Sequence, residues 1–407
     1  MAQRQGVVRR VTWLVIAAVL LVVGVAIGAS GASGGEGSAQ SRWVIHDLGT
    51  LGHSFISSQA ADINESGQIV GGSGTGSLGR AFIWENGEMT PLGTLGGLES
   101  SAARINNQGQ VIGGSLTRKP ARGHGFIWQD GKMTDLGTLG GRSGAGPRAI
   151  NDRGQVVGDA ATKSGAHHAF LWQNGKLRDL GTLGGPNSIA LAINERGQVV
   201  GSSDTAGGSQ HAFLWQKGKM RDLGTLGGAY TAGSSAVAIN ERGQVVGSSY
   251  SATVSFGQLG PGVHAFLWQN GKMRDLGTLD RTPPTSVAVA INDRGEVIGN
   301  SPATGDWRAF LWRNGKMTNL GTLGGGGHSE AVAINNRGQA IGDSVPLGPH
   351  GMSHAFLWQN GTMTDLGTLG GFVGVPTAIN EHGQIVGSSN TANGKGHAVL
   401  WTLQPRS

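Results

Sequence analysis

Along most of the chain, apolar residues come in short runs that alternate with polar ones and are cut at regular intervals by Gly-containing turns. The stretch from His168 to Gly185, HAFLWQNGKLRDLGTLGG, shows the pattern. HAFLWQ reads as one strand, Asn174-Gly175 as a two-residue type I′ turn and KLRDLGTL as the returning strand. This register sets Gln173 opposite Lys176, Trp172 opposite Leu177, Phe170 opposite Asp179 and His168 opposite Gly181. Alternate residues share a face, so His168, Phe170, Trp172 and Leu177 fall on one side and Ala169, Leu171 and Leu180 on the other. Both sides are apolar, and a sheet apolar on both faces must be packed between others.

A second hairpin precedes each of these. SIALAIN (188–194) leads through NERG into QVVGSS, with Asn and Gly at the first and fourth positions of a tight turn. The Asn of this IN dipeptide recurs at 64, 106, 151, 194, 240, 292, 335 and 380, and the Trp of FLW or its variants at 84, 128, 172, 215, 268, 312, 358 and 401. Eight units of four short strands predict an all-β chain folded as a closed β-propeller with eight four-stranded blades. In the first unit Pro91 stands at the place of Asp179. The register makes that a non-hydrogen-bonded position whose amide points outward, so DLGTL is expected at the outer edge and the small-residue AIN strand along a central channel. An orphan fourth strand, WVIHDLGTL (43–51), and an orphan third, HAVLW (397–401), together complete the eighth blade and close the ring. An open solenoid would leave both edges unpaired.

In these hairpins a His and an Asp lie diagonally on one face: His124 with Asp135, His168 with Asp179, His211 with Asp222, His264 with Asp275, His354 with Asp365 and, across the closure, His397 with Asp47. Where Arg80 and Arg308 replace the His, Pro91 and Asn319 replace the Asp. The matched change predicts an interstrand contact. Repetition in six hairpins makes these pairs structural fasteners rather than catalytic dyads or metal ligands, and no cofactor is implied. LGTLGG lacks the Lys-Ser/Thr ending of a phosphate loop, and the NDRG and NERG turns supply too few carboxylates for a calcium cage. No nucleophile elbow and no other catalytic constellation is recognisable. Carboxylates outside the repeat pattern, Glu99, Asp159, Asp204, Asp280, Asp306, Glu330 and Asp343, are expected in variable loops, and the sequence brings no two of them together.

Composition narrows the class. The chain has 407 residues, 75 of them Gly, no Cys and only 14% charged residues. The Gly has no three-residue period and the apolar residues recur regularly, which excludes a collagen-like or disordered chain. Without Cys, stability must come from packing. Arg4, Arg9 and Arg10 precede the apolar run WLVIAAVLLVVGVAIG, so residues 1–28 are expected to form an export signal or membrane anchor, 29–42 a Gly/Ala/Ser linker and 43–402 a single propeller domain. The net charge of +6 is too diluted to suggest nucleic acid as a partner.

HAFLW, INERGQVVG and DLGTLGG together resemble the HAF-repeat family of bacterial extracellular repeat proteins, over about 47–401. The resemblance implies an exported repeat protein and brings no established activity to particular residues. Arg80, Gly125, Arg308 and Val399 depart from the name motif.

Differences between the copies indicate where a ligand is expected. The NERG and NGK turns fall at one end of the ring and the variable loops at the other, and diversity on a rigid frame is where binding sites are placed. The fifth unit has sixteen residues between Gly247 and His264, and its loops hold both tyrosines, Tyr230 and Tyr250, with Phe256 beside them and Trp307 in the next unit. These four residues are the expected contacts for a polysaccharide or a surface protein. The constant face carries Lys132, Lys176, Lys219, Lys272 and Lys316 in the outer turns and Arg153, Arg196, Arg242, Arg294 and Arg337 in the inner ones. Weak, salt-sensitive affinity for anionic envelope polymers or lipids is expected there. The first reading is a cell-surface binding or adhesion module. Its rivals are a propeller hydrolase or lyase acting on polysaccharide and a purely structural surface protein.

Overall fold

The computed structural model describes residues 42–404, apart from 53, 76–77, 119–120, 228–232, 252–261, 281–283 and 347–351. The expected export segment and nearly all of the linker lie outside the described residues. Among the described residues no helix is long and apolar enough to cross a membrane. Eight four-stranded antiparallel sheets follow one another, and within each the spatial order of strands is the chain order or its closure. Blade 4 is typical, with strands Gly184–Ile193, Val199–Thr205, Gln210–Gln216 and Lys219–Asp222. In blade 8, Gly370–Ile379, Ile385–Thr391 and Gly396–Gln404 are joined by Arg42–Asp47 as the fourth strand, with Arg42 opposite Gln404 and Asp47 opposite Val399. The first strands of successive blades touch all the way round, the last against the first. They form the inner wall, the fourth strands lie outside, and the chain is a closed eight-bladed β-propeller.

The hairpin register agrees with the alternation of residues: Gln173 faces Lys176, Trp172 faces Leu177 and Phe170 faces Asp179. Asn174 and Gly175, with φ of 50° and 78°, make the type I′ turn. Ala169, Leu171 and Leu180 pack against Ala190, Val199 and Phe213 of blade 4, while Phe170, Trp172 and Leu177 pack the other way against Ile112 and Ile127 of blade 2. Each fully buried Phe of this kind contributes roughly 1.5–3 kcal/mol by leaving water.

The fourth strand is shorter than expected. It ends at Asp179, and the His168 to Gly181 pairing is not made. Asp179 Oδ1 accepts the Gly181 N–H at 2.7 Å, Gly181 takes φ of +77°, and the chain turns out of the sheet. LGTL is instead a strap to the next blade. The Leu183 N–H donates to Ser203 Oγ at 2.9 Å, and Ser188 Oγ donates to the Gly181 carbonyl at 2.6 Å while accepting the Ala169 N–H at 2.8 Å. In blade 1, where Pro91 offers no amide, the ladder resumes one residue on with Leu92 N–H to the Ala81 carbonyl at 2.9 Å.

Two further features set the inner wall. Every first strand carries one extra residue, in blade 4 Leu191 between Ala190 opposite Gly201 and Ala192 opposite Val200. The bulge drives a carbonyl towards the Gly of QVVG: a Cβ at Gly201 would lie 1.9 Å from the Ile189 oxygen, and the equivalent distance in the other blades is at most 2.1 Å. The second feature is a ring of asparagines. Asn194 Nδ2 donates to the Asn240 carbonyl of the next blade at 3.0 Å, and the same bond, at 2.9–3.1 Å, runs through all eight blades until Asn380 reaches the carbonyl of Asn64. The glycine constraint gives a direct test. Gly201→Ala is expected to cost more than about 2 kcal/mol, because the methyl group meets backbone that cannot step aside. Gly114→Ala, where nothing lies within 4 Å, should stay within about 0.5 kcal/mol of the parent. Thermal melts of the two variants check the contrast.

Candidate functional site

First strands run from the variable-loop end towards the NERG turns, so the starts of first and third strands and the ends of second and fourth strands share the loop face. The six His–Asp pairs lie there. His Nδ1 to Asp carboxylate distances are 2.7 Å for His124–Asp135 and His264–Asp275, 2.8 Å for His168–Asp179 and His211–Asp222, and 2.9 Å for His354–Asp365 and for His397–Asp47 across the ring closure. In each pair the Asp also accepts the N–H of the Gly two residues on, at 2.7–2.8 Å. One carboxylate thus ends the fourth strand and orients the imidazole. Asn319 makes the same Gly contact, at 2.8 Å, where Arg308 replaces the His. His264 is the most buried of the six, and its Nε2 has no hydrogen-bond partner among the described residues. Burial raises the pKa of the Asp275 carboxyl, but the bonds from His264 and the Gly277 N–H outweigh it and hold the group below its ordinary value.

Of the four expected ligand contacts, Tyr230 and Phe256 lie outside the described residues. Tyr250 ends the second strand of blade 5 with 43% of its surface exposed, beside Gly233, and Trp307 is the second residue of the third strand of blade 6, at 36%. Sequence reasoning missed four more exposed apolar residues on this face, Ile56, Leu78, Leu98 and Phe372. Leu98 and Phe372 follow the Gly-Gly that opens the ten-residue first strands of blades 2 and 8. The available signal was a large apolar residue after Gly-Gly, outside any alternation. At the ring closure Thr50, Phe55 and Ile56 line a pocket together with Thr391, Asn393, Lys395 and His397.

Of the carboxylates expected in variable loops only Asp280 lies in one; Glu99, Asp159, Asp204, Asp306, Glu330 and Asp343 are on strands, because the strands run further towards the loop face than the repeat pattern indicates. Asp159 is buried between Arg148, at 3.4 Å, and His167, at 3.0 Å. Asp204 accepts from Asn187 at 2.9 Å, Asp280 from the Thr304 N–H at 2.6 Å, and Asp306 lies 3.9 Å from Arg308. In blade 7 the fold places Glu330 and Asp343 directly opposite each other on adjacent strands, with His328 3.1 Å from Glu330 and Ser353 bonded to Asp343. Burial, and then the neighbouring Glu330 charge, raise the Asp343 carboxyl above its ordinary value against the Ser353 bond.

At the turn end, the residue after each Asn forms a second ring. The Glu195 N–H donates to Glu241 Oε1 at 2.7 Å, the Glu241 N–H to Asp293 at 2.8 Å, and the series closes with the Glu381 N–H on Glu65 at 3.1 Å. Burial, and the charges of Asp152 and Glu241, raise the Glu195 carboxyl. The basic turn face expected from the Lys and Arg positions therefore surrounds a channel mouth rich in carboxylates.

No family model matches the chain, and no curated protein is similar enough to count as a relative. Among solved structures the chain is similar to the β-propeller domain of the Trilobed protease from Pyrococcus furiosus, at 9% identity over 76% of this chain and 96% of that one, with a TM-score of 0.46. It is also similar to Pyrococcus horikoshii acylaminoacyl peptidase, at 11% identity over 76% of this chain and 52% of that one, with a TM-score of 0.44. For Porphyromonas gingivalis dipeptidyl peptidase 4 the values are 10%, 70%, 51% and 0.48. The chain spans about half the length of the two peptidases.

The lowered Asp275 carboxyl has a defined pH consequence. Its stabilisation is present above the ordinary carboxylate pKa of about 3.9 and is lost as pH falls through the lower folded value. Asp275→Asn is expected to melt below the parent at pH 7, with the gap closing under acid. Melting curves at neutral and acid pH check this, and a gap that persists in acid would contradict it.

Proposed function

We propose that this chain is an exported binding module that holds a polysaccharide or protein ligand at the cell surface through the loop face of its propeller, in keeping with the HAF-repeat resemblance. One observation carries the reading. Seven large hydrophobic side chains are exposed among the described residues, and Ile56, Leu78, Leu98, Tyr250, Trp307 and Phe372 all stand at the loop end, leaving only Leu403 at the turn end. Exposed apolar groups gathered on one face of a rigid frame support binding there, and the aromatic ones suit sugar rings or a protein partner. The test is retention of the full chain on immobilised polysaccharides and peptidoglycan at low and high salt. Retention should persist in salt and fall about tenfold or more when Tyr250 and Trp307 are replaced together by Ala, the loss of anchor residues, while Leu403→Ala leaves it unchanged. Equal retention of all three proteins would remove the loop-face reading.

A second reading, a polysaccharide hydrolase, is favoured by Glu330 and Asp343. Directly opposed residues of an antiparallel pair have Cβ atoms about 5 Å apart, and two neighbouring carboxyls, one of them with a raised pKa, are what acid-assisted glycoside cleavage needs. Turnover of any glycan that disappears in Asp343→Asn would bring this reading forward.

A further inference from the structure

The seams between blades differ at the turn face. At three of them the fourth-strand Arg of one blade lies over the third-strand Trp of the next: Arg178 over Trp215 and Arg221 over Trp268 at 5.2 Å from the ring centroid, and Arg274 over Trp312 at 5.1 Å. The three covered indoles are buried. Between blades 6 and 7 the Arg position is taken by Thr318, too short to reach, and Trp358 is left half-exposed on the floor of an open groove. Arg294, Arg313, Lys316 and Arg337 stand around it. Among the described residues only Arg313 of these four pairs with a carboxylate, Glu296 at 3.3 Å, so the groove holds three more cations than anions.

A second uncovered seam shows that this charge is particular to the place. Between blades 2 and 3, Thr134 leaves Trp172 half-exposed in the same way, but the groove there is lined by Gln110, Gln129, one Lys and one Asp. Its charges balance.

We infer that the groove between blades 6 and 7 binds an acidic, uronate-containing glycan, one sugar ring lying on Trp358 and its carboxylate held among Arg294, Arg313, Lys316 and Arg337. Each part of the groove has a use for such a ligand. The indole face takes the C–H face of a pyranose, the guanidinium groups take a carboxylate in paired hydrogen bonds, and Thr318 with Asn360 on the rim suits hydroxyls. A small inorganic anion would leave the indole unused. The site is on the face opposite the loops and does not depend on the loop-face reading.

The test is calorimetric titration of the full chain with tetragalacturonate and with its neutral methyl ester. The acid is expected to bind and the ester not. Thr318→Arg is the deciding variant, because it adds a cation but restores over Trp358 the cover found at three sibling seams. It should weaken binding about thirtyfold, the loss typical of a central anchor, as should Trp358→Ala. Thr134→Arg, at the neutral seam, should change nothing. Tighter or unchanged binding by Thr318→Arg would reduce the affinity to diffuse surface charge and overturn the assignment, as would equal binding of the ester or no binding of the acid.

Discussion

An asparagine buried where each first strand ends has to satisfy a backbone N–H, a backbone carbonyl and a whole side-chain amide away from water, and unpaired groups there would each cost about 1–3 kcal/mol. Asn194 meets the demand with three side-chain bonds inside its own turn and one to the next blade. Its Oδ1 accepts the N–H groups of Arg196 and Gln198, while its Nδ2 reaches Gln198 Oε1 at 2.8 Å and the Asn240 carbonyl at 3.0 Å. No blade can complete this set alone. Each needs a neighbour at the right distance, and the last needs the first, so satisfying one polar group locally selects a closed ring globally. The straps after the fourth strands repeat the logic further out, where Ser188 and Ser203 receive the chain that leaves blade 3.

The same seam is then reused with different residues and acquires different chemistry. Where Gln198 bonds Gln216 across a blade at 3.2 Å, blade 6 has Glu296 and Arg313, an ion pair in place of two amides. Where Arg178, Arg221 and Arg274 cover the next Trp the seam is shut, and where Thr134 and Thr318 stand instead Trp172 and Trp358 are open. Such exchanges leave the frame intact because the frame rests on the Asn ring, the bulge glycines and the buried Phe layer. Variation is therefore free to accumulate on the surface without cost to the fold, on the turn face as well as in the loops.

Much of this architecture was legible beforehand, and the reason is repetition. The hairpin register, the two apolar faces and the outward-facing amide at Pro91 follow from a period of two and a turn type, which are local. The His–Asp contacts were visible because Arg80 with Pro91 and Arg308 with Asn319 change together. The fourth strand was read too long because LGTL alternates like a strand, and only the Asp179 carboxylate capturing the Gly181 N–H turns it aside. The Asn was read as a turn former, which it is, but its bond to the next blade joins residues 42 to 52 apart around the ring, and across the closure 316 apart.

The candidate sites divide along the same line. Tyr250 and Trp307 could be picked out from sequence because they are aromatic residues outside the repeated positions, in segments that vary between copies. Leu98 and Phe372 could not, since their exposure depends on where an extended first strand leaves the ring. Sequence alone determined the blade, its repeat, its register and its closure, because those are set by neighbours along the chain and by complementary ends. Tertiary structure decided which side chains meet between blades: that Glu330 faces Asp343, that six carboxylates gather at the channel mouth, and that Trp358 lies open while Trp312 is covered. Those outcomes depend on how adjacent sheets are set against one another, and a single Thr or Arg on one blade acts on the indole of the next, about forty residues away along the chain.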